Sequence, residues 1–264
     1  MSVFVKEGSS YASISVLLLS HFVFSLMFIL PACIVDKSFR FKLKSPSLTI
    51  GRIVFGGFSM LVFFYNLSVM PLATALLFLN TSPIFIPLLL YALFRKAINL
   101  KMLYSASIGL FGLALILHPN LEFNYYLFLG VLNGMLSAMA FVFLRQASQK
   151  DSATSIVFYY FVICSLVTLC FTAHELTTMT EKALWYSIAV GFTAAVFQYS
   201  LTKAMRYMPS NIVAAILFIE VPFAAIIGWW LWGEKLGLDF LIGACFILIG
   251  SLLIYNLSSK QKLN

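Results

Sequence analysis

Glu220 stands two residues before Pro222, inside the apolar run NIVAAILFIEVPFAAIIGWWLWGEK from Asn211 to Lys235. A carboxylate at that depth in a bilayer costs about 2.5–3.5 kcal/mol on insertion scales, so it is seldom placed without a use. It could contact a polar substrate, carry a coupling proton, or make a helix-packing hydrogen bond. Asn80, Thr81 and Ser82 stand directly ahead of Pro83 in a second run. Proline lacks a backbone N–H and leaves a carbonyl free. These three side chains could therefore bind solute or satisfy the freed carbonyls. Gln198 and Tyr199 lie toward the end of a third run, and Tyr65 holds the matching place in an earlier one. Tyr199 could stack on an aromatic or sulfonium group by cation–π attraction, or bond at a helix interface. His21 is deep and ionisable, although a lone histidine is more often a packing residue. Arg52 lies near the end of its run, where snorkelling to phosphate headgroups is the default. Asn133, at mid-span, reads as a helix-to-helix hydrogen-bonding residue.

The elements that must position these residues are membrane helices. The chain has 264 residues, 62% hydrophobic and 10% charged, with mean hydropathy +0.99. A soluble domain is nearer ~45–50% apolar and ~25% charged. Nine runs are long enough to span, at 12–34, 49–68, 70–94, 100–118, 124–145, 154–174, 183–202, 210–232 and 238–257. They are continuously apolar and do not alternate, which excludes a strand barrel. Small residues Ala214, Ala215, Ala224, Ala225 and Gly228 would let other helices approach the Glu220 span. Cys33, Cys164, Cys170 and Cys245 lie in apolar runs without ligand spacing and read as packing residues. There is no cleavable signal peptide in view, because a basic loop follows the first run.

The net charge of +8 is distributed by side rather than clustered for nucleic acid. Alternate threading puts 14 of the 17 Lys and Arg on one side, leaving Lys6, Lys182 and Lys235 on the other. That bias assigns the basic side and the C-terminus to the cytoplasm, and the N-terminus to the outside if nine helices span. Trp185, Trp229, Trp230 and Trp232 then fall near the outer interface, which indole rings favour.

The chain also repeats itself. Tyr65-Asn-Leu-Ser68 and Tyr199-Ser-Leu-Thr202 each end a span, and each precedes a Met-Pro pair, Met70-Pro71 and Met208-Pro209. Similar spans follow, ATALLFLNTSPIF from Ala75 and AAILFIEVPFA from Ala214. Laying Pro83 on Pro222 puts Thr81 on Glu220, and a register one residue shorter sets Ser105 and Gly112 against Gly243 and Gly250 in step. One copy would run inward where the other runs outward. Inverted repeats of this kind build alternating-access transporters.

These residues resemble the EamA-like branch of the drug/metabolite transporter superfamily. The matching pieces are His21 with Pro31, Arg52 with Tyr65, YNLSVMPLATALLFLNTSP, SLTKAM, and IEVPFAAIIGWWLWGEK. The spacing of Arg52 and Tyr65 is most similar to members that import S-adenosylmethionine. The resemblance implies an all-α polytopic membrane helix bundle of two inverted repeats around a central cavity. It divides the chain into a first repeat at 1–118, a second at 124–257 and a cytoplasmic tail at 258–264. It also leaves the first repeat without the family's first helix, since 12–34 matches the second, with His21 where arginine is common. Nine helices suffice, or the true start lies upstream, or the product is impaired.

A secondary transporter of small organic metabolites is the expected function, by alternating access and with proton or exchange coupling. S-adenosylmethionine, an amino acid or a nucleoside-like solute is the expected substrate, and a multidrug or metabolite exporter is the alternative. Glu220, Asn80, Thr81, Tyr199, Gln198, Tyr65 and His21 are the expected binding or coupling residues. An enzyme is not expected: paired acids, HExxH and GxSxG are absent from the sequence. Of three histidines, His118 and His174 lie at span ends, so no metal site is expected. GxxxxGK[ST] is also missing, so no nucleotide cofactor is expected and a gradient must drive transport. A channel would need a filter-like loop, and none is visible. The expected partners are a small-molecule substrate and the lipid bilayer of a bacterial inner membrane, with a homodimer among the oligomeric states left open.

Overall fold

The apolar runs close into α-helix because only internal backbone hydrogen bonding is satisfied in hydrocarbon. A computed structural model describes residues 1–69, 72–95, 100–117, 125–172, 180–232 and 237–261, and every regular element among them is helical. The Met70-Pro71 turn, His118, His174 and the Glu234-Lys235 pair lie outside the described residues. In chain order the helices are α1 (Ser2–Gly8), α2 (Ile14–Val35), α3 (Pro46–Val69), α4 (Leu72–Leu79), α5 (Ser82–Phe94) and α6 (Leu100–Leu117). Then follow α7 (Tyr125–Ser148), α8 (Ala153–Thr172), α9 (Glu181–Tyr207), α10 (Ser210–Leu217), α11 (Glu220–Trp232) and α12 (Leu238–Gln261). Among the described residues, Ile14–Val35, Pro46–Leu67, Phe128–Ser148, Ala153–Thr172 and Glu181–Tyr207 are long and apolar enough to cross a membrane; Phe85–Phe94, Leu103–Gly112 and Leu241–Gly250 are shorter apolar stretches. The chain is a polytopic membrane helix bundle.

Two expected spans differ from the sequence reading in one respect. The runs 70–94 and 210–232 are each two short helices, α4 with α5 and α10 with α11. Pro83 and Pro222 supply the reason. Neither has an N–H to donate to the carbonyl four residues back, and each ring crowds that carbonyl. The last helix also continues to Gln261, into the segment expected to be a tail.

Packing divides the chain into two units. Unit 1 takes Met1–Val69 and Phe143–Tyr207; unit 2 takes Met70–Val142 and Met208–Asn264. In unit 1, α2 packs on both α8 and α9. Ser25 Oγ donates to the carbonyl of Gly191 at 2.9 Å, and a Cβ on Gly191 would run into Phe24. Buried Phe22, Phe63, Phe64, Tyr160 and Phe161 fill the centre. In unit 2, α6 packs along α12.

Laying Pro83 on Pro222 carries α2 onto α8, α3 onto α9, α4 and α5 onto α10 and α11, and α6 onto α12. Local chemistry repeats with it. Ser13 Oγ caps α2 by accepting from Val16 N at 3.4 Å, and its counterpart Ser152 Oγ caps α8 by accepting from Ser155 N at 3.1 Å. Such caps satisfy N–H groups left over at a helix start. Ser9 Oγ donates to Lys6 O at 2.7 Å, and Ser148 Oγ to Arg145 O at 2.9 Å.

Equivalent helices run antiparallel where they meet. Thr154, near the start of α8, bonds to Asp36 just past the end of α2, while Tyr160, further along α8, meets Phe22, further back along α2. The His21–Phe161 and Phe22–Tyr160 ring pairs are then two copies of one contact. In unit 2, Gly112 of α6 faces Gly243 of α12, and Gly109 faces Gly250. The repeats are therefore inverted.

A basic loop at 36–45 is tied down by two carboxylates. Asp36 accepts from the backbone N–H and hydroxyl of Ser38 and from Thr154 Oγ1. The Ser38 hydroxyl, then that of Thr154, holds its pKa below the usual aspartate value. Asp151 is buried and accepts from Lys44 N at 2.7 Å, from Ser45 N at 3.0 Å and from Ser45 Oγ. Asp151→Ala should leave those donors unpaired and cost about 1–3 kcal/mol. Hydrogen exchange should rise across 36–45 in the variant; unchanged protection there would show that Asp151 does not hold the loop.

Candidate functional site

Unit 2 carries the paired helix breaks. At the first, Thr81 ends the turn between α4 and α5, with Pro83 in the first turn of α5. Asn80 Nδ2 donates to Leu76 O at 2.9 Å, and Thr81 Oγ1 donates to Phe78 O at 2.7 Å. The same two carbonyls also accept from the backbone N–H of Asn80 at 3.0 Å and of Thr81 at 3.1 Å, and neither is the Leu79 carbonyl that Pro83 leaves free. At the second break, Ile219 N donates to Ile216 O at 3.1 Å, and Glu220 opens α11. An acid in the first turn of a helix is favoured by the unpaired N–H groups there.

The two broken helices lie against each other. α4 packs on α11, and α5 packs on α10. That pairing brings the two broken helices together in unit 2, with Asn80 and Thr81 at the first break and the half-buried Glu220 at the second. The part of α7 in this unit passes directly over the first break. A Cβ on Gly134 would strike Thr81 Oγ1 and come 2.8 Å from Phe78 O, and a Cβ on Gly130 would enter the Phe78 ring. Only glycine permits this approach of helix to broken helix. Asn133 is fully buried next to that crossing.

Unit 1 holds the other expected residues. Gln198 is 2% exposed, and its Oε1 accepts from Arg52 Nη2 at 2.8 Å. His21 is wholly buried, ringed by Phe22, Phe64 and Phe161, and neither of its nitrogens has a hydrogen-bond partner among the described residues. Tyr199 is half-buried, with Lys203 Nζ 4.7 Å from its ring centre. Tyr65 is 43% exposed on α3.

Arg52 departs from expectation. It does not reach for headgroups: it is 4% exposed, with its guanidinium carbon 4.5 Å from the centre of the Tyr160 ring. The side chain folds along α3 over Gly56, where a Cβ would collide with Nη1 and stand 2.9 Å from Cζ. The clue in the sequence was Gly56 itself, one helical turn after Arg52 and small enough to let the guanidinium lie against the helix. Two inverted repeats of membrane helices, with paired helix breaks and a half-buried acid at one of them, define a membrane transport fold.

A family model described as EamA-like transporter family matches residues 1–118 and 124–256. The chain belongs to the EamA-like transporter family. It is 30% identical over 213 residues to an uncharacterized transporter of Helicobacter pylori, covering 77% of this chain and 71% of that one. It is 27% identical over 192 residues to the pseudopaline exporter of Pseudomonas aeruginosa, covering 72% and 67%. It is 25% identical over 234 residues to an S-adenosylmethionine uptake transporter of Rickettsia bellii, covering 88% and 80%. A solved crystal structure matches the fold with TM-score 0.78 at 14% identity, over 97% of this chain and 92% of that one.

Proposed function

We propose that this protein is a secondary carrier of small organic metabolites working by alternating access across a bacterial inner membrane. The observation that carries the reading is the pair of broken helices packed together in unit 2, with Glu220 at one of the breaks. Broken helices free backbone groups where a polar solute can use them, and transporters place their sites there. The residues we assign to binding or coupling are Glu220, Asn80 and Thr81 in unit 2, and Gln198, Tyr199, Tyr65 and His21 in unit 1. Proton coupling or exchange supplies the energy, with Glu220 as the natural proton carrier. Residues 1–118 and 124–257 act as the two repeats, with the C-terminus cytoplasmic and, if nine helices span, the N-terminus outside. The partners are the solute and the bilayer, with a homodimer as one admissible assembly.

Relatives named for uptake and for export leave direction to experiment. The test is flux through purified protein in sealed vesicles, starting with S-adenosylmethionine, amino acids and nucleosides. Entry of one of these should saturate, be competed by its analogues, and accelerate when the inside is preloaded. Flux that rises linearly with concentration and ignores competitors would mean a pore.

A further inference from the structure

The loop at 36–45 combines two chemistries that transport does not use. It joins two spans of bilayer length, Ile14–Val35 and Pro46–Leu67, of 22 residues each. At a rise of about 1.5 Å per residue each covers about 33 Å, close to the thickness of the hydrocarbon, so the loop falls at the level of the lipid headgroups. Lys37, Arg40, Lys42 and Lys44 are all exposed there. Phe41, directly between Arg40 and Lys42, is 72% exposed, and Ile34 and Val35 at the end of α2 are 85% and 80% exposed.

The loop is held in place by its backbone. Ser155 Oγ accepts from Arg40 N at 2.9 Å and donates to Arg40 O at 3.0 Å. Tyr159 donates its hydroxyl to the Phe41 carbonyl, and Asp151 takes the N–H groups of Lys44 and Ser45. The Phe41 ring stands edge-on to Phe39 and Phe158, with centres 5.0 and 6.2 Å away. Asp36 and Asp151 therefore serve backbone and hydroxyl donors. Among the described residues, none of the four cationic side chains is in an ion pair.

The repeat shows that these cations are not needed to build such a loop. The Pro83–Pro222 register carries 36–45 onto 175–184, ELTTMTEKAL, which has one lysine and two glutamates. A basic loop on one side satisfies the rule that orients membrane chains. That rule asks only for charge, and does not ask that the loop be fixed at several backbone groups or that an aromatic ring stand exposed among the cations.

We propose that the 36–45 loop is a preformed docking surface for anionic phospholipid. Lys37, Arg40, Lys42 and Lys44 meet the phosphates, while Phe41, Ile34 and Val35 lie against the upper acyl chains. Because its backbone is already ordered, the loop gives up little freedom on binding. Lipid binding is measured without flux, so this inference stands apart from the carrier reading.

The test is titration of phosphatidylglycerol into the detergent-purified full chain, with bound lipid counted by native mass spectrometry and hydrogen exchange followed across 36–45. Phosphatidylglycerol should bind and slow exchange there, and less so in high salt; phosphatidylcholine should do neither. Lys42→Gln combined with Lys44→Gln should weaken binding about 30-fold, about 5-fold for each cation. Lys6→Gln combined with Lys182→Gln should leave it unchanged. Phe41→Ser should weaken it about 5- to 10-fold with the same salt dependence. Asp151→Ala separates a held loop from mere attraction of charge. It removes a negative charge, so attraction alone predicts tighter binding, whereas loss of the held loop predicts binding weaker by about 2- to 10-fold. Equal effects of the two lipids, full affinity in the Lys42 and Lys44 double variant, or tighter binding in Asp151→Ala would each overturn the proposal. Glycerol phosphate, which has the anion without acyl chains, should not slow exchange; if it did so as well as phosphatidylglycerol, the site would be one for free anions and the proposal would fall. If the double variant does not fold or inserts inverted, the lipid comparison on the unaltered chain, Phe41→Ser and Asp151→Ala decide the matter.

Discussion

Gly250→Ala is expected to lower stability by about 3 kcal/mol, at the upper end of ordinary overpacking costs. The reason is what a new Cβ would meet. At Gly250 it would lie 2.8 Å from Gly109 N, 2.9 Å from Ser105 O and 3.1 Å from Gly109 Cα. All three are backbone atoms of α6, so no rotamer change makes room. The helices must separate along their length, and every contact between them weakens together. Within a bilayer that loss is felt in full, since lipid tails are as apolar as the side chains and helices associate mainly by close packing. Gly112→Ala should behave alike, because its Cβ would lie 2.5 Å from Gly243 O and 3.0 Å from Ile247 N. Gly57→Ala is the control: its Cβ would meet only the Cys164 sulfur, at 3.1 Å, which a small side-chain shift relieves. Denaturation midpoints in mild detergent compare the three. A Gly250→Ala protein as stable as Gly57→Ala would mean that α6 and α12 do not touch this closely.

Glu220→Gln is expected to abolish transport or uncouple it, with flux down about 10- to 100-fold, the worth of one charge-assisted hydrogen bond. The substitution keeps size and shape, so the protein should still reach the membrane and unfold at a similar temperature. What changes is charge and the ability to release a proton. The two roles separate by assay. A coupling group predicts that gradient-driven accumulation is lost while exchange between preloaded pools continues. A substrate contact predicts that both fall together. Either result keeps Glu220 at the centre of the site; wild-type rates in both assays would remove it.

Helix identity was legible throughout, because long apolar runs have no other stable form in a bilayer. The repeat was legible too: Ser105, Gly112, Gly243 and Gly250 were in step along the chain. The structure adds that these small residues meet one another, Gly112 against Gly243 and Ser105 against Gly250, so the repeat builds its own interface. The prolines were visible, but not that their spans would divide into separate helices. A proline removes one hydrogen bond, and neighbours decide whether the helix bends or stops.

Among the site residues, chemistry was readable and partnership was not. Glu220, Asn80 and Thr81 stood out because polar groups are costly in hydrocarbon. That the broken helices carrying them pack together depends on α4 lying on α11 and α5 on α10, contacts far apart in sequence. Arg52 was misread for the same reason. From sequence, a cation near the end of a span has water and headgroups within reach. Only tertiary structure placed Tyr160 under its guanidinium and Gln198 beside it, with α3 bare at Gly56. Composition and periodicity settle what a segment is, since each residue's cost in lipid is local. Which charge faces which partner is decided by packing between distant segments, and that information exists only once the helices are assembled.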